Sequence, residues 1–593
     1  MSPKPFTKMA RYPMSDLIPT VQDSDQPQRR HPGKGRRKGR VNNRGRQVSP
    51  QAQTEIQALL GDRSRQRDLL IEHLHLIQDY YGHISAQHLA ALAEEMKISQ
   101  AEAYEVATFY AHFDIIKEGE PTPAPLTVRV CESLSCQLKG AEQVHDALLA
   151  GCDASEVRVL KAPCMGRCES APIVEVGHNH VPNATAEQVL KLIDDNDIHP
   201  VKVNSISLDT YRASGGYEIL EKCQDNRLSY EEISGVLNDS GLRGLGGAGF
   251  PTATKWKFVK QAQGPRLMAV NGDEGEPGTF KDRHYLEQDP HRFLEGMLIS
   301  AWAVEADEVY IYLRDEYPHI RALLLQEIDA IEKAGLVATG KIHLRRGAGA
   351  YICGEESAMI ESLEGKRGYP RQRPPYVAQV GLFNRPTLVN NVETLFWLRD
   401  ILEKGADWFS SQGRNGRQGL RSFSVSGRVA KPGVHLAPAG ITLEELVEEY
   451  CGGMAEGHQL KAYLPGGASG GILPASLGNI PLDFGTLEDQ GCFIGSAAVV
   501  VLSDQDDMRE VALNLMRFFA DESCGQCTPC RNGTEKAVQI MEAKDWNLPL
   551  LDDLGQVMRD ASICGLGQAA SNPVQSVVKH FSADILASDG GQH

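Results

Sequence analysis

Eight of the thirteen cysteines fall into two groups at spacings that can hold metal. In Glu522-Ser-Cys524-Gly-Gln-Cys527-Thr-Pro-Cys530 the pattern is C-x2-C-x2-C, with Cys564 as a remote fourth. Three thiolates on one short loop can hold three irons of a [4Fe-4S] cube, while a structural zinc is the alternative use of four thiolates. The other group is Cys131, Cys136, Cys164 and Cys168, a C-x4-C pair and a C-x3-C pair. Two pairs brought together by a fold supply the four thiolates of a [2Fe-2S] cluster. Zinc competes there too, although its pairs are more often C-x2-C. Cys152, Cys223, Cys353, Cys451 and Cys492 have no partner at ligand spacing and read as structural.

Two glycine loops have the composition of nucleotide sites. Gly244, Gly246 and Gly249 fit G-x-G-x-x-G, which lets bare backbone N–H groups approach a phosphate. That match is weak by itself, because residues 230–237 read as a helix where a dinucleotide fingerprint requires a strand. A glycine-rich connection is the plain alternative. The second loop, Arg346-Gly-Ala-Gly-Ala-Tyr351-Ile-Cys-Gly354-Glu355-Glu356, follows a strand pattern at 341–345 and opens a helix pattern at 357–363. Its two carboxylates stand where a helix dipole favours negative charge. Between the loops, a strand at 267–270 ends on Asn271-Gly-Asp273-Glu274-Gly-Glu276. Polar residues at a strand's carboxyl end are where open α/β sheets place ligands, and a polar turn is the plain alternative. A third glycine run, 465–471, has no lysine-bearing helix start after it and reads as a flexible loop between strands.

The elements that must position these residues form a series of domains. Residues 51–120 are helical, with apolar positions Leu69, Leu70, Leu74, Ile77, Leu89, Leu92 and Met96, and a capping box at Ser99-Gln-Ala-Glu102. His73, His75, His83 and His88 match no ligand pattern on one helical face and read as surface or cap histidines. After a proline-rich break, residues 121–200 alternate strand and helix in a βαβ-type plan of thioredoxin size, with the four cysteines at strand ends and loops. Residues 201–420 read as α/β. Residues 421–505 run in short alternating stretches around one helix at 443–450, as in a small ubiquitin-like β-grasp domain, and 506–593 are helical.

On these motifs, residues 51–200 resemble the small [2Fe-2S] subunit of respiratory complex I and of related NAD-linked dehydrogenases. The resemblance implies Cys131, Cys136, Cys164 and Cys168 as cluster ligands. Residues 201–420 resemble the NADH-binding flavoprotein subunit of the same enzymes. This implies FMN at Gly244, Gly246 and Gly247, with Lys255 as a point charge for its phosphate, and Asn271, Asp273, Glu274, Tyr351, Gly354, Glu355, Glu356, Asn390 and Asn391 around it. NADH is implied at Phe250, Glu276, Tyr351, Glu356, Arg373 and Tyr376. Leu245 departs from the family, which often has arginine there; Arg373 and Tyr376 replace lysine and phenylalanine but keep charge and ring. The fold class expected is multidomain α/β and α+β: a helical bundle with a thioredoxin-like domain, a Rossmann-like flavin domain, a β-grasp domain and a C-terminal helical bundle.

The fusion of the two subunits, the wording Cys131-Glu-Ser-Leu-Ser-Cys136 and Ala162-Pro-Cys-Met-Gly-Arg-Cys168, and a basic arm over residues 1–50 are most similar to the β subunit of soluble NAD-dependent formate dehydrogenases. In that family the partner α subunit carries molybdenum or tungsten on a pterin, with further iron-sulfur clusters. The diaphorase subunit of NAD-reducing nickel-iron hydrogenases, also a fusion, and a complex I flavoprotein fusion are the other relatives.

Composition narrows the setting. The longest apolar run, 493–502, is half a membrane span, so no spanning helix is expected. The N-terminus has no apolar secretion segment, and the cysteine distribution suits a reducing compartment, which makes a cytoplasmic setting the expectation. Net charge is −17, yet residues 1–50 are basic. Without interleaved aromatics or a binding fold, that arm reads as a disordered tail for an acidic protein surface and not as a nucleic-acid module. The resemblance implies a diaphorase: hydride exchanged between NAD(H) and FMN, single electrons passed through the clusters to or from a partner, and no side chain required as acid or base.

Overall fold

The computed structural model describes residues 46–586. Most of the basic arm lies outside these residues, but its last part does not read as a tail. Arg46 donates its N–H to Gln100 Oε1 at 3.2 Å and accepts from Gln100 Nε2 at 2.7 Å, and a helix begins at Pro50.

The described chain divides into two compact units, residues 46–123 with 364–367, and residues 124–363 with 368–586. The first unit packs helices Pro50–Leu60, Leu70–Tyr81, Ala86–Met96 and Gln100–Ala107. The capping box forms as the spacing predicts: Ser99 Oγ accepts from Glu102 N at 3.1 Å, and the Glu102 carboxylate accepts from Ser99 N at 3.1 Å. Two of the histidines correct the surface reading. His73 and His75 are buried, because the helix Leu70–Tyr81 packs on nearly every side along its first two turns. His73 Nε2 pairs with Ser64 O at 2.8 Å. His75 lies edge-on to the Phe113 ring and falls within ligand distance of Asp79 and His112, one helical turn on and a loop away.

The second unit holds three sheets. A mixed sheet runs Val157–Ala162, Leu126–Cys131, Val174–Val176, Asn179–Val181, its first pair parallel and the rest antiparallel. A parallel sheet runs Thr387–Asn391, Arg266–Gly272, Ala306–Leu313, Ile342–Arg346. Its two central strands, Arg266–Gly272 and Ala306–Leu313, are apolar along most of their length, as strands covered on both faces must be. The helix Pro290–Ala303 is buried on almost every face against it. A five-stranded sheet over 420–503 wraps the helix Leu443–Glu445, which continues as a π turn, Leu446–Tyr450. Helices Met508–Asp521, Thr528–Met541, Leu548–Ala561 and Asn572–His580 come after it.

One contact sets the spacing of the parallel-sheet layer. A Cβ placed on Gly296 would lie 1.9 Å from the Leu395 carbonyl oxygen, so the helix Pro290–Ala303 approaches Val392–Phe396 only because residue 296 is glycine. Gly296→Ala is expected to force these helices apart at a cost of about 1–3 kcal/mol. The check is a lower denaturant midpoint in tryptophan emission together with weaker flavin retention, since Asn391 caps the displaced helix.

Candidate functional site

The strand Leu126–Cys131 delivers Cys131, the short helix Leu134–Gln137 carries Cys136, and the loop after Val157–Ala162 holds Cys164 and Cys168. All four are buried, and Cys164 and Cys168 Sγ lie 3.4 Å apart. Cys131 neighbours both Cys136 and Cys164, so the two sequence pairs converge on one point. In the C-terminal helices Cys530 sits in the first turn of Thr528–Met541, and Cys564 immediately precedes Gly565–Ala569. They are brought together because residue 567 is glycine: a Cβ there would stand 2.8 Å from the Cys530 Cβ.

The strands Arg266–Gly272 and Thr387–Asn391, neighbours in the parallel sheet, end on a cleft of about 1180 Å³. It is lined by Gly244, Gly246, Lys255, Asn271, Gly354, Glu355, Glu356, Asn390 and Asn391, with Phe250, Arg373 and Tyr376. An adjoining cavity of about 350 Å³ is lined by Gly247, Asp273, Glu274, Glu276 and Tyr351. Every flavin and nucleotide residue implied by the sequence therefore lines one of two adjoining spaces. The glycine loop comes after the helix Tyr230–Ser240 and opens the helix Thr252–Gln261. Gly246 is required for close approach, since a Cβ there would lie 2.9 Å from that of Asn391. Leu245, at the departure from the family pattern, turns into the core, and its N–H reaches Thr394 Oγ1 at 2.9 Å.

Polar groups around the cleft are held firmly. Asn271 Nδ2 donates to Gly354 O at 2.8 Å, and Asn271 Oδ1 accepts from Asp273 N at 3.0 Å. Glu355 Oε2 accepts from Ser357 N and Ala358 N, capping the helix Glu356–Leu363. Lys255 Nζ is 3.1 Å from Val389 O and 3.8 Å from Glu356, and burial holds its pKa below the usual lysine value. Arg373 reaches Glu356 at 3.1 Å and also pairs with Glu355. The rim bears exposed rings, Phe250, Phe258 and Tyr376, and exposed aromatics beside a cleft mark a binding surface. Glu274 has a supporting part: its carboxylate accepts from Asp282 N at 2.8 Å, Arg283 N at 3.0 Å and the Tyr317 hydroxyl at 3.0 Å.

The sequence reading missed a wall of the smaller cavity. Gly466, Ser469, Phe493, Gly495 and Ser496 line it, and Ser469 N and Oγ donate to Glu276 at 2.7 and 2.8 Å. The 465–471 run is thus no flexible loop. Its glycines are packed, and a Cβ on Gly467 would come 2.6 Å from Glu276. The glycine spacing is visible in the sequence, but its partner lies about 190 residues upstream, beyond the reach of local pattern.

The model for the Nuo51 FMN-binding domain matches residues 237–400. Residues 56–197 match the thioredoxin-like [2Fe-2S] ferredoxin, 422–473 an SLBB domain, and 510–588 the iron-sulfur binding region of NADH-ubiquinone oxidoreductase-F. The F 2 polypeptide of NADH-quinone oxidoreductase from Rhizobium meliloti (strain 1021) is 42% identical over 395 residues, which is 64% of this chain and 94% of that protein. The chain belongs to the F-type family of NADH-binding flavoproteins. Another relative is the mitochondrial NADH dehydrogenase [ubiquinone] flavoprotein 1 of Dictyostelium discoideum, 42% identical over 58% of this chain and 76% of that one. Among solved structures, a chain of an air-oxidized NAD+-reducing [NiFe]-hydrogenase matches with a TM-score of 0.78 at 32% identity, covering 89% of this chain and 95% of that one.

As an F-type flavoprotein the chain uses FMN, NAD(H), one [2Fe-2S] and one [4Fe-4S] cluster. The residues present fit these groups. Asp273 Oδ2 and Asn390 Oδ1 are buried in the lining without a protein hydrogen-bond partner, as acceptors left for a bound ring or sugar would be. Each cysteine set offers four free thiols.

Asp273 carries a pH consequence. Burial pushes its carboxyl well above the usual aspartate range, Arg314 opposes this, and Glu316 and Glu522 add to it. A raised folded-state pKa contributes stability that is complete below the unfolded value and lost as pH rises through the folded one. FMN retention by the unmutated protein is therefore expected to weaken toward alkaline pH, whereas Asp273→Asn, neutral throughout, should flatten that profile. Fluorescence of released flavin across the range checks both.

Proposed function

We propose that Gly244, Gly246, Gly247, Lys255, Asn271, Asp273, Glu274, Tyr351, Gly354, Glu355, Glu356, Asn390 and Asn391 seat FMN, that Phe250, Glu276, Tyr351, Glu356, Arg373 and Tyr376 receive NADH at the open side, and that the two cysteine sets hold the clusters. One observation carries this reading: Cys564 and Gly565 of the C-terminal cysteine motif line the same cleft as Gly244, Lys255 and Asn390. The donor site and the first single-electron acceptor thus share a wall. Flavin, when bound, supplies the conversion between a hydride pair and single electrons. The protein's own residues position and exclude. Glu276, held by Ser469 and Tyr351, closes the floor where a nicotinamide would stack. Arg373 offers charge at the rim, and the exposed rings of Phe250 and Tyr376 offer faces for an adenine.

The partner in this reading is a molybdenum- or tungsten-pterin subunit that oxidises formate, the chain serving as its NAD-linked diaphorase subunit. The wording around Cys131–Cys136 and Cys164–Cys168 supports it. A hydrogenase partner is the second reading, favoured by the near full-length likeness to the NAD+-reducing [NiFe]-hydrogenase chain. Among the described residues no helix is long and apolar enough to cross a membrane, and both readings accord with that.

Metal analysis of the complex recovered through a tag on this chain separates them. Molybdenum or tungsten with formate-driven NAD reduction supports the first reading; nickel with neither metal overturns it in favour of the second. Cys527→Ser, at a half-buried ligand position, is expected to abolish the [4Fe-4S] EPR signal and electron delivery to the partner. NADH should still bleach the flavin in that variant, which separates hydride transfer from onward electron transfer.

A further inference from the structure

The loop that carries Cys164 and Cys168 is fastened to the flavin-side loop by two buried arginines. Arg314 comes directly after the strand Ala306–Leu313. Its Nη2 donates to the Cys164 carbonyl at 2.5 Å, its Nη1 donates to the Glu274 carbonyl, and its Nε pairs with Glu316 at 3.0 Å. Arg283 Nε donates to the Gly166 carbonyl at 2.8 Å, and its remaining nitrogens pair with Glu169 and Glu287. Each of these arginines is only 5% exposed. The Tyr317 hydroxyl, bound to Glu274, stands where a Cβ on Gly166 would be, 2.1 Å away, so the cysteine loop lies flat on this bracket.

Neither arginine belongs to the flavin, nucleotide or cysteine sets. We propose that Arg314, supported by Arg283, is a positioning residue that raises the reduction potential of the [2Fe-2S] cluster and ties its loop to the floor of the flavin cavity. The inference rests on the reading of Cys131, Cys136, Cys164 and Cys168 as that cluster's ligands. The physical reason is charge: reduction adds one negative charge to a dry site, and a fixed cation hydrogen-bonded to a ligand's own carbonyl stabilises the added charge more than the oxidised form. Glu316, paired with Arg314 and more exposed, acts in the opposite sense with partial screening.

The test is an EPR-monitored redox titration of the complete protein with its clusters loaded. Arg314→Gln is expected to shift the [2Fe-2S] midpoint to lower potential and to leave the [4Fe-4S] midpoint in place, and Arg314→Lys to recover most of the shift. Glu316→Gln should move the [2Fe-2S] midpoint upward. A full-strength [2Fe-2S] signal that titrates identically in Arg314→Gln and in the unmutated protein overturns the proposal. If Arg314→Gln fails to hold the cluster, Glu316→Gln decides, and an unchanged midpoint there is equally fatal. Absence of any [2Fe-2S] signal from the unmutated protein would instead remove the ligand reading on which the inference stands.

Discussion

The site depends on a positive charge that water does not reach. Lys281 is 1% exposed, and its ammonium lies 2.7 Å from Glu393 and 3.2 Å from Asp282. Removing one partner from such a buried group costs about 3–5 kcal/mol, because the other charge is left without compensation. The carboxylates therefore hold Lys281 charged, its pKa raised despite burial. The geometry of the cleft derives from this. Asp282 also accepts from Asn391 Nδ2 at 2.6 Å and from Glu393 N at 3.2 Å, so the strand end that lines the cleft is locked to the helix Lys281–Gln288.

From that point the polar scaffold runs outward without a break. Glu274 collects the first two N–H groups after Lys281, Arg314 and Tyr317 bind Glu274, and Arg314 with Arg283 reaches the backbone of the Cys164–Cys168 loop. On the other side Tyr351 bridges two domains' worth of sequence. Its hydroxyl meets Glu276, and its N–H donates to Glu522 at 2.9 Å, two residues before Cys524. Burial pushes Glu522 up to about 7. The flavin-side loop is thus a shared support for both cysteine sites, joined to one through Arg314 and to the other through Tyr351.

Much of this is legible along the chain, because the signals are local. Cysteine spacing, the order strand, glycine loop, helix around 341–363, and the capping box at Ser99–Glu102 each arise within a short stretch of sequence. The misreadings share a different cause. His75 reads as a surface residue from its own helix, while its neighbours Phe113 and His112 arrive from a later loop. The 465–471 run reads as flexible from the residues just after it, while Glu276 and the helix Asn572–His580, through Ser576 Oγ to Ile472 N at 2.9 Å, are what make it rigid. Glu274, implied by the resemblance as a flavin contact, lines the smaller cavity, and its carboxylate also accepts from two backbone N–H groups and a tyrosine that no local pattern announces.

By itself the sequence determined which chemistries are present: thiolate sets at cluster spacing, glycine loops able to admit a phosphate, and polar residues at the ends of apolar strands. Residue type and short-range spacing suffice for these, because ligand geometry and backbone freedom are properties of a few adjacent residues. Only the tertiary structure decided that Cys564 shares a wall with the glycine loop, that the 465–471 loop closes the floor over Glu276, and that Arg314 joins Cys164 to Glu274. Those are contacts between segments far apart in the chain, set by how sheets and helices bury apolar faces and by where a buried charge can find its partner.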